Sequence, residues 1–188
     1  LQLIAFGDEV FDKRQTAAAI ASGFADNTTL RDLELTNWKE TSLVPVLAAL
    51  QGHPALQKIH FNGRSVDYLP SLSGLEVLLR SQDSKVKELI LEQVYIRTVG
   101  LHPVFQELAR NTTVTNLAIC NSVLSREYVQ QLTAVLRQNT ALQYLDLTSS
   151  ALGSAGLAEI APVLYRNTSI KTLDLSSNGL DDIESANV

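Results

Sequence analysis

The 188 residues include 15 basic and 20 acidic side chains, and the net charge of −5 argues against nucleic acid and anionic membranes as partners, since both need a basic face. Hydrophobic residues are 45% of the chain, as expected for a folded domain, yet no apolar run is long enough to cross a bilayer. The single cysteine, Cys120, has no partner for an internal disulfide, so a reducing, cytoplasmic compartment is expected.

An L-x-x-L-x-L pattern opens at Leu1 and returns at Leu30, Leu56, Val86, Val114, Leu142 and Ile170, with gaps of 29, 26, 30, 28, 28 and 28 residues. Its inner apolar pairs are Ile4/Phe6, Leu33/Leu35, Ile59/Phe61, Leu89/Leu91, Leu117/Ile119, Leu145/Leu147 and Leu173/Leu175. Alternation at period two predicts a short strand with one buried face. The fixed spacing predicts a leucine-rich repeat solenoid. The expected architecture is α/β, a right-handed βα horseshoe of about seven 28-residue repeats forming one unit over residues 1–188. The chain begins at the first position of a repeat and closes just after a seventh strand, so a fragment of a longer protein is expected.

A helix follows each strand. The first, from about Lys13 to Ala25, is expected to bury Ile20 and Phe24. The third, near Leu69 to Arg80, slips by about a residue against the others. In the fifth repeat Val129, Leu132 and Leu136 mark one helix face, and Leu157, Ile160 and Leu164 repeat it one period later. Ser125 and Ser154 are the candidate N-caps. Pro162 is expected to kink the sixth helix. Three residues before each new repeat stand Asn27, His53, Asp83, Asn111, Asn139 and Asn167, residue types tolerant of positive φ, so left-handed helix exits are expected there. The sequons at Asn27, Asn111 and Asn167 have this same structural explanation.

Every unit is β then α, so the strands are parallel. Strands lie about 4.8 Å apart and packed helices about 8–10 Å, so the helical side must be the longer arc. The sheet should line a concave inner wall spanning about 29 Å, and the sequence holds no second set of helices to cover it.

The long repeat, its full helix and its Asn-Thr exit resemble the ribonuclease-inhibitor-like class of leucine-rich repeats. The stretch from Asn139 to Leu180 carries the likeness most strongly, as in Asn167-Thr168-Ser169-Ile170 running into Leu173-Asp174-Leu175-Ser176-Ser177-Asn178-Gly179-Leu180. That class includes nuclease inhibitors, a GTPase activator for Ran, the actin-capping tropomodulins, innate-immune sensor domains and bacterial effectors. The resemblance implies a protein-binding solenoid. The family often sets Asn or Cys at the ninth repeat position. Here that position holds Glu9, Trp38, Arg64, Val94, Ser122, Ser150 and Asn178, of which only Asn178 follows the family, so irregular loops after the strands are expected. A mammalian-inhibitor role is disfavoured, since those proteins are Cys-rich.

The outward mid-strand residues are Ala5, Glu34, His60, Ile90, Ala118, Asp146 and Asp174. One step before the buried pairs lie Leu3, Asp32, Lys58, Glu88, Asn116, Tyr144 and Thr172. One step after come Gly7, Thr36, Asn62, Glu92, Cys120, Thr148 and Ser176. This grid is the candidate binding surface. Its carboxylates (Asp32, Glu34, Glu88, Glu92, Asp146 and Asp174) face only Lys58 and His60, which suits a basic protein partner with Ile90 and Tyr144 as anchors. The bland reading is a solvated sheet face. Trp38 and Tyr95 read as loop plugs or exposed anchors, and Cys120 as an inert thiol.

No metal spacing joins His53, His60 and His102, and no nucleotide-binding or nucleophile-elbow motif occurs. The expectation is a non-enzymatic protein-interaction module, inhibitory or scaffolding, without cofactor, metal or small-molecule substrate. The alternatives are a GTPase activator using Arg64, or a sensor or autoinhibitory segment of a larger receptor or effector.

Overall fold

A computed structural model describes residues 2–3, 14–36, 40–63, 72–94 and 98–180. The expectations placed on Leu1, Ile4, Ala5, Phe6, Gly7, Glu9, Trp38, Arg64 and Tyr95 lie outside them.

Strands β1 (Gln2–Leu3), β2 (Asp32–Thr36), β3 (Lys58–Asn62), β4 (Glu88–Glu92), β5 (Asn116–Cys120), β6 (Tyr144–Asp146) and β7 (Thr172–Asp174) form one parallel sheet in chain order. Between them run α1 (Arg14–Ala25), α2 (Glu40–Ala49), α3 (Leu75–Arg80), α4 (Thr98–Arg110), α5 (Arg126–Gln138) and α6 (Gly153–Leu164). Consecutive helices pack on one another as consecutive strands do.

The alternation does what period two requires. Leu33, Leu35, Ile59, Phe61, Leu89, Leu91, Leu117, Ile119, Leu145 and Leu147 are all buried. They meet Val129, Leu132 and Leu136 of α5 and Ile160 of α6 in a single core, with Ile20, Leu157 and Leu164 packed at its margin. Phe105 of α4 meets Tyr128 of α5 edge-on, with centroids 6.4 Å apart. On β7 Leu173 is 36% exposed, because no described element stacks beyond that strand.

Five expectations are corrected. Gln2, not Leu3, pairs with Asp32, so β1 sits one residue out of the expected register and Leu3 aligns with inward Leu33. The Ser154 cap is absent. Leu152 holds the cap position of α6 and the Ser154 Oγ is buried without a hydrogen-bond partner, whereas Ser125 caps α5 by accepting from the Tyr128 N–H at 3.5 Å. Pro162 is not well inside α6, where the expected kink would arise. It falls in the last turn and the helix runs two residues further, to Leu164.

The fourth correction concerns the helix exits. None of the asparagines there has positive φ, and Asn139 is extended at φ −75°. They act through their side chains instead. Oδ1 accepts the N–H groups two and three residues on, at 2.8 and 2.7 Å for Asn27, 3.0 and 2.7 Å for Asn111, 2.8 and 2.8 Å for Asn139, and 2.9 and 2.8 Å for Asn167. The Nδ2 of Asn111, Asn139 and Asn167 donates to the preceding repeat, at Leu79 O, Leu108 O and Leu136 O respectively. An amide is suited to this position because it offers an acceptor to one repeat and a donor to another. His53 imitates the acceptor half, its Nδ1 taking the N–H groups of Ala55 and Leu56 at 3.3 and 3.2 Å.

The fifth concerns the strand exits, which repeat one backbone conformation from Gln93 onward. Gln93, Asn121, Ser149 and Ser177 recur every 28 residues with φ of 51, 51, 54 and 58°. The recurring left-handed residues are therefore at the strand exits, and at the helix exits only Gly52, at φ 66°, is left-handed among the described residues. The ninth-position side chains then bridge repeats. Asn178 Oδ1 accepts from the N–H groups of Ser150 and Leu152 at 3.0 and 3.1 Å, Ser150 Oγ donates to Ile119 O at 2.6 Å, and Ser122 Oγ accepts from Val94 N–H at 3.1 Å. Serine hydroxyls do in two repeats part of what the amide does in the third.

Candidate functional site

The register aligns Glu34, His60, Ile90, Ala118, Asp146 and Asp174 in one row across the sheet, and Asp32, Lys58, Glu88, Asn116, Tyr144 and Thr172 in a second. Both rows stand on the face opposite the core. Most of these side chains are half-buried, as close-set neighbours on adjacent strands should be. Ala118 is buried, its methyl too short to rise above Ile90 and Asp146 on either side.

The two halves of this face differ. On β3–β4 most of the charged groups have partners on the sheet. Lys58 Nζ donates to Glu88 Oε1 at 2.9 Å. His60 Nε2 pairs with Glu92 Oε2 at 2.9 Å, with Glu34 Oε1 3.9 Å from its Nδ1. Asn62 and Asn121 donate to Glu92 at 3.4 and 3.3 Å. Such partly exposed pairs contribute about 1 kcal/mol or less each. Asp32 begins the second row, in register with Lys58.

On β5–β7 the carboxylates serve the backbone. Asp146 Oδ1 accepts the Thr148 N–H at 2.8 Å, and Asp174 Oδ1 accepts the Ser176 N–H at 2.9 Å and its hydroxyl at 2.6 Å. The Ser176 hydroxyl and N–H hold the Asp174 carboxyl below its ordinary value. Partial burial holds the Tyr144 phenol above its ordinary value, with Asp146, Asp174, Cys120 and Glu88 adding to the effect. No cation of β5–β7 answers these acids, whereas β3 supplies Lys58 and the His60 imidazole to the other half. A tyrosine ring among carboxylates can accept a guanidinium or ammonium group by charge and through its π-face.

Cys120 is held at a pKa of about 11 by burial, with Glu92 and Asp146 opposing the thiolate, so the thiol is not a nucleophile at neutral pH. Among the described residues no group of His, Cys, Asp and Glu could hold a metal ion, and no helix is long and apolar enough to cross a membrane. Sequence reasoning found the face but not its internal pairings. Those depend on Glu34, His60 and Glu92 meeting across strands 26 and 32 residues apart in sequence.

The family described as Leucine Rich repeat matches residues 138–161 and 166–183. No curated protein matches the chain in sequence. Among solved structures, the tropomodulin C-terminal domain of Caenorhabditis elegans is similar with a TM-score of 0.56 and 14% identity, over 80% of this chain and 92% of that one. The leiomodin-1 actin-binding site 2 is similar with a TM-score of 0.54 and 17% identity, over 84% and 89%. These likenesses concern the fold, an α/β leucine-rich repeat solenoid.

Proposed function

We propose that this chain is a protein-recognition module, one continuous solenoid of seven ribonuclease-inhibitor-like repeats, whose concave sheet face receives a protein partner presenting basic groups. The supporting observation is the asymmetry of that face. On β3–β4 Lys58 is paired with Glu88 and His60 with Glu92, while Tyr144, Asp146 and Asp174 on β5–β7 face no cation of their own strands. Ile90 lies between the halves as an apolar contact with no core to join. Asp32, Glu34, Lys58, His60, Glu88 and Glu92 then form a polar rim, and Tyr144, Ile90, Asp146 and Asp174 the contact centre.

Because leiomodin-1 supplies an actin-binding site of the same fold, actin is the first partner to assay. Proteins captured from lysate provide the rest. Tyr144→Ala and Ile90→Ala should each weaken the captured interaction roughly tenfold, as a 1–2 kcal/mol contact requires. The helical circular-dichroism signal should not change. Undiminished affinity in both variants would reject the surface.

A further inference from the structure

All strands are parallel, so every helix-to-strand turn falls on the same edge of the solenoid. Cations collect there. Arg110, Arg137, Arg166 and Lys171 are exposed along it. The turns spanning 108–115, 136–143 and 164–171 contain no carboxylate in a chain of net charge −5. Nearer the N-terminus the same edge is partly neutralised, by Asp83 and by Glu107, whose Oε1 accepts from Arg80 at 2.7 Å.

Two grooves open on this edge between successive exits. One, of about 350 Å³, includes both Arg110 and the paired Arg80 and Glu107. The other, of about 380 Å³, is flanked by Arg137 and Arg166, floored by hydroxyls such as Thr140 and Ser169, and lined by no acid. Beside it Tyr165 is 92% exposed.

The helix macrodipole favours cations in a last helical turn and accounts for Arg80, Arg110 and Arg137. It gives no reason for Lys171 beyond the helix, for a groove of hydroxyls between two arginines, or for a bare tyrosine next to Arg166. Exposed Tyr and Arg together are the composition of a binding centre.

We propose that this edge, centred on Arg137, Tyr165 and Arg166, binds an extended acidic segment of a partner protein. The surface is separate from the open sheet face and opposite to it in charge. Successive helix ends repeat at roughly 8–10 Å. Three residues of a polyproline II chain make one turn and advance roughly 9 Å, so an acid at every third position stays on one side and meets one cation per repeat. A single-stranded nucleic acid fits less well, because successive bases need successive aromatic rings and the edge offers one.

The probe is a fluorescein-labelled twelve-residue peptide with glutamate at every third position and Gly or Ser between, titrated by anisotropy at low salt. Saturable binding to the wild-type chain is expected. It should weaken at least tenfold in Arg137→Gln/Arg166→Gln, weaken in Tyr165→Ala, and persist in Tyr144→Ala and in Arg126→Gln on the opposite edge. These side chains are solvent-facing or half-buried, and thermal unfolding should match wild type in each variant. Absence of saturable binding to wild type would overturn the proposal. So would equal loss in Arg126→Gln, or tighter binding of a twelve-nucleotide oligo-dT or of phosphatidylserine vesicles than of the peptide. Persistence of peptide binding in Tyr144→Ala separates this edge from the open face, so either surface can fail alone.

Discussion

Asn139 ties three repeats together with one side chain. Its Nδ2 donates to Leu108 O and Asn111 O at 2.6 and 2.9 Å, and its Oδ1 accepts from Ala141 and Leu142. Leaving buried backbone groups without partners costs about 1–3 kcal/mol each. Asn139→Ala should therefore lose about 3 kcal/mol in urea unfolding. Asn139→Asp should lose at least as much, because a carboxylate keeps the acceptors but faces two carbonyls where a donor is needed. A neutral outcome for either would contradict the ladder. His53 holds the corresponding position with Nδ1 as acceptor, which requires the neutral ring. Burial lowers its pKa below the ordinary 6.5, against an opposing pull from the Asn27 backbone. The folded state then binds fewer protons than the unfolded state between the two values. Its contribution is complete above about pH 6.5 and falls as the pH drops toward the folded value. His53→Asn should keep the capping bonds and flatten that part of the stability profile between pH 7.5 and 5.5.

At the scale of the element, Gly63 at the end of β3 is tightly constrained. A Cβ on Gly63 would lie 2.5 Å from the backbone oxygen of Gln93, which has no rotamer to move away. Gly63→Ala should cost about 1–3 kcal/mol and loosen the 2.9 Å bond from Gly63 N–H to Glu92 O. In α1 a Cβ on Gly23 would meet nothing within 4 Å. Gly23→Ala should stabilise by roughly 0.5–1 kcal/mol, as removal of a helical glycine does. Thermal unfolding of the two variants should move in opposite directions. The strands were legible in the sequence because burial enforces period two, and Leu89/Leu91 and Leu145/Leu147 obey it without exception. Helix exits were legible in position but not in mechanism. Asn suits both a left-handed turn and a side-chain cap, and residue type alone does not separate them. The regular strand exits at Gln93 and Ser149 were hidden because neither residue type signals positive φ. The β1 register slipped because Leu1 and Leu3 permit two alignments and only pairing with Asp32 and Leu33 decides.

At the scale of the whole molecule, charge is sorted by repetition. A residue type set at one repeat position is copied along one line of the surface, so carboxylates gather on the open sheet face while cations gather along the helix-exit edge. The candidate face was legible as a grid because alternation fixes which residues point outward. The pairing of Lys58 with Glu88 and of His60 with Glu92 was not, since that depends on side chains of neighbouring strands meeting. The account stands on the open face being where a partner rests. A photo-cross-linking amino acid placed at position 144 on that face, and separately at exposed position 134 on α5, tests it in the assembled complex. Cross-linking to the partner from 144 and not from 134 is the predicted result. Cross-linking from 134 alone would place the partner against the helices and contradict the account.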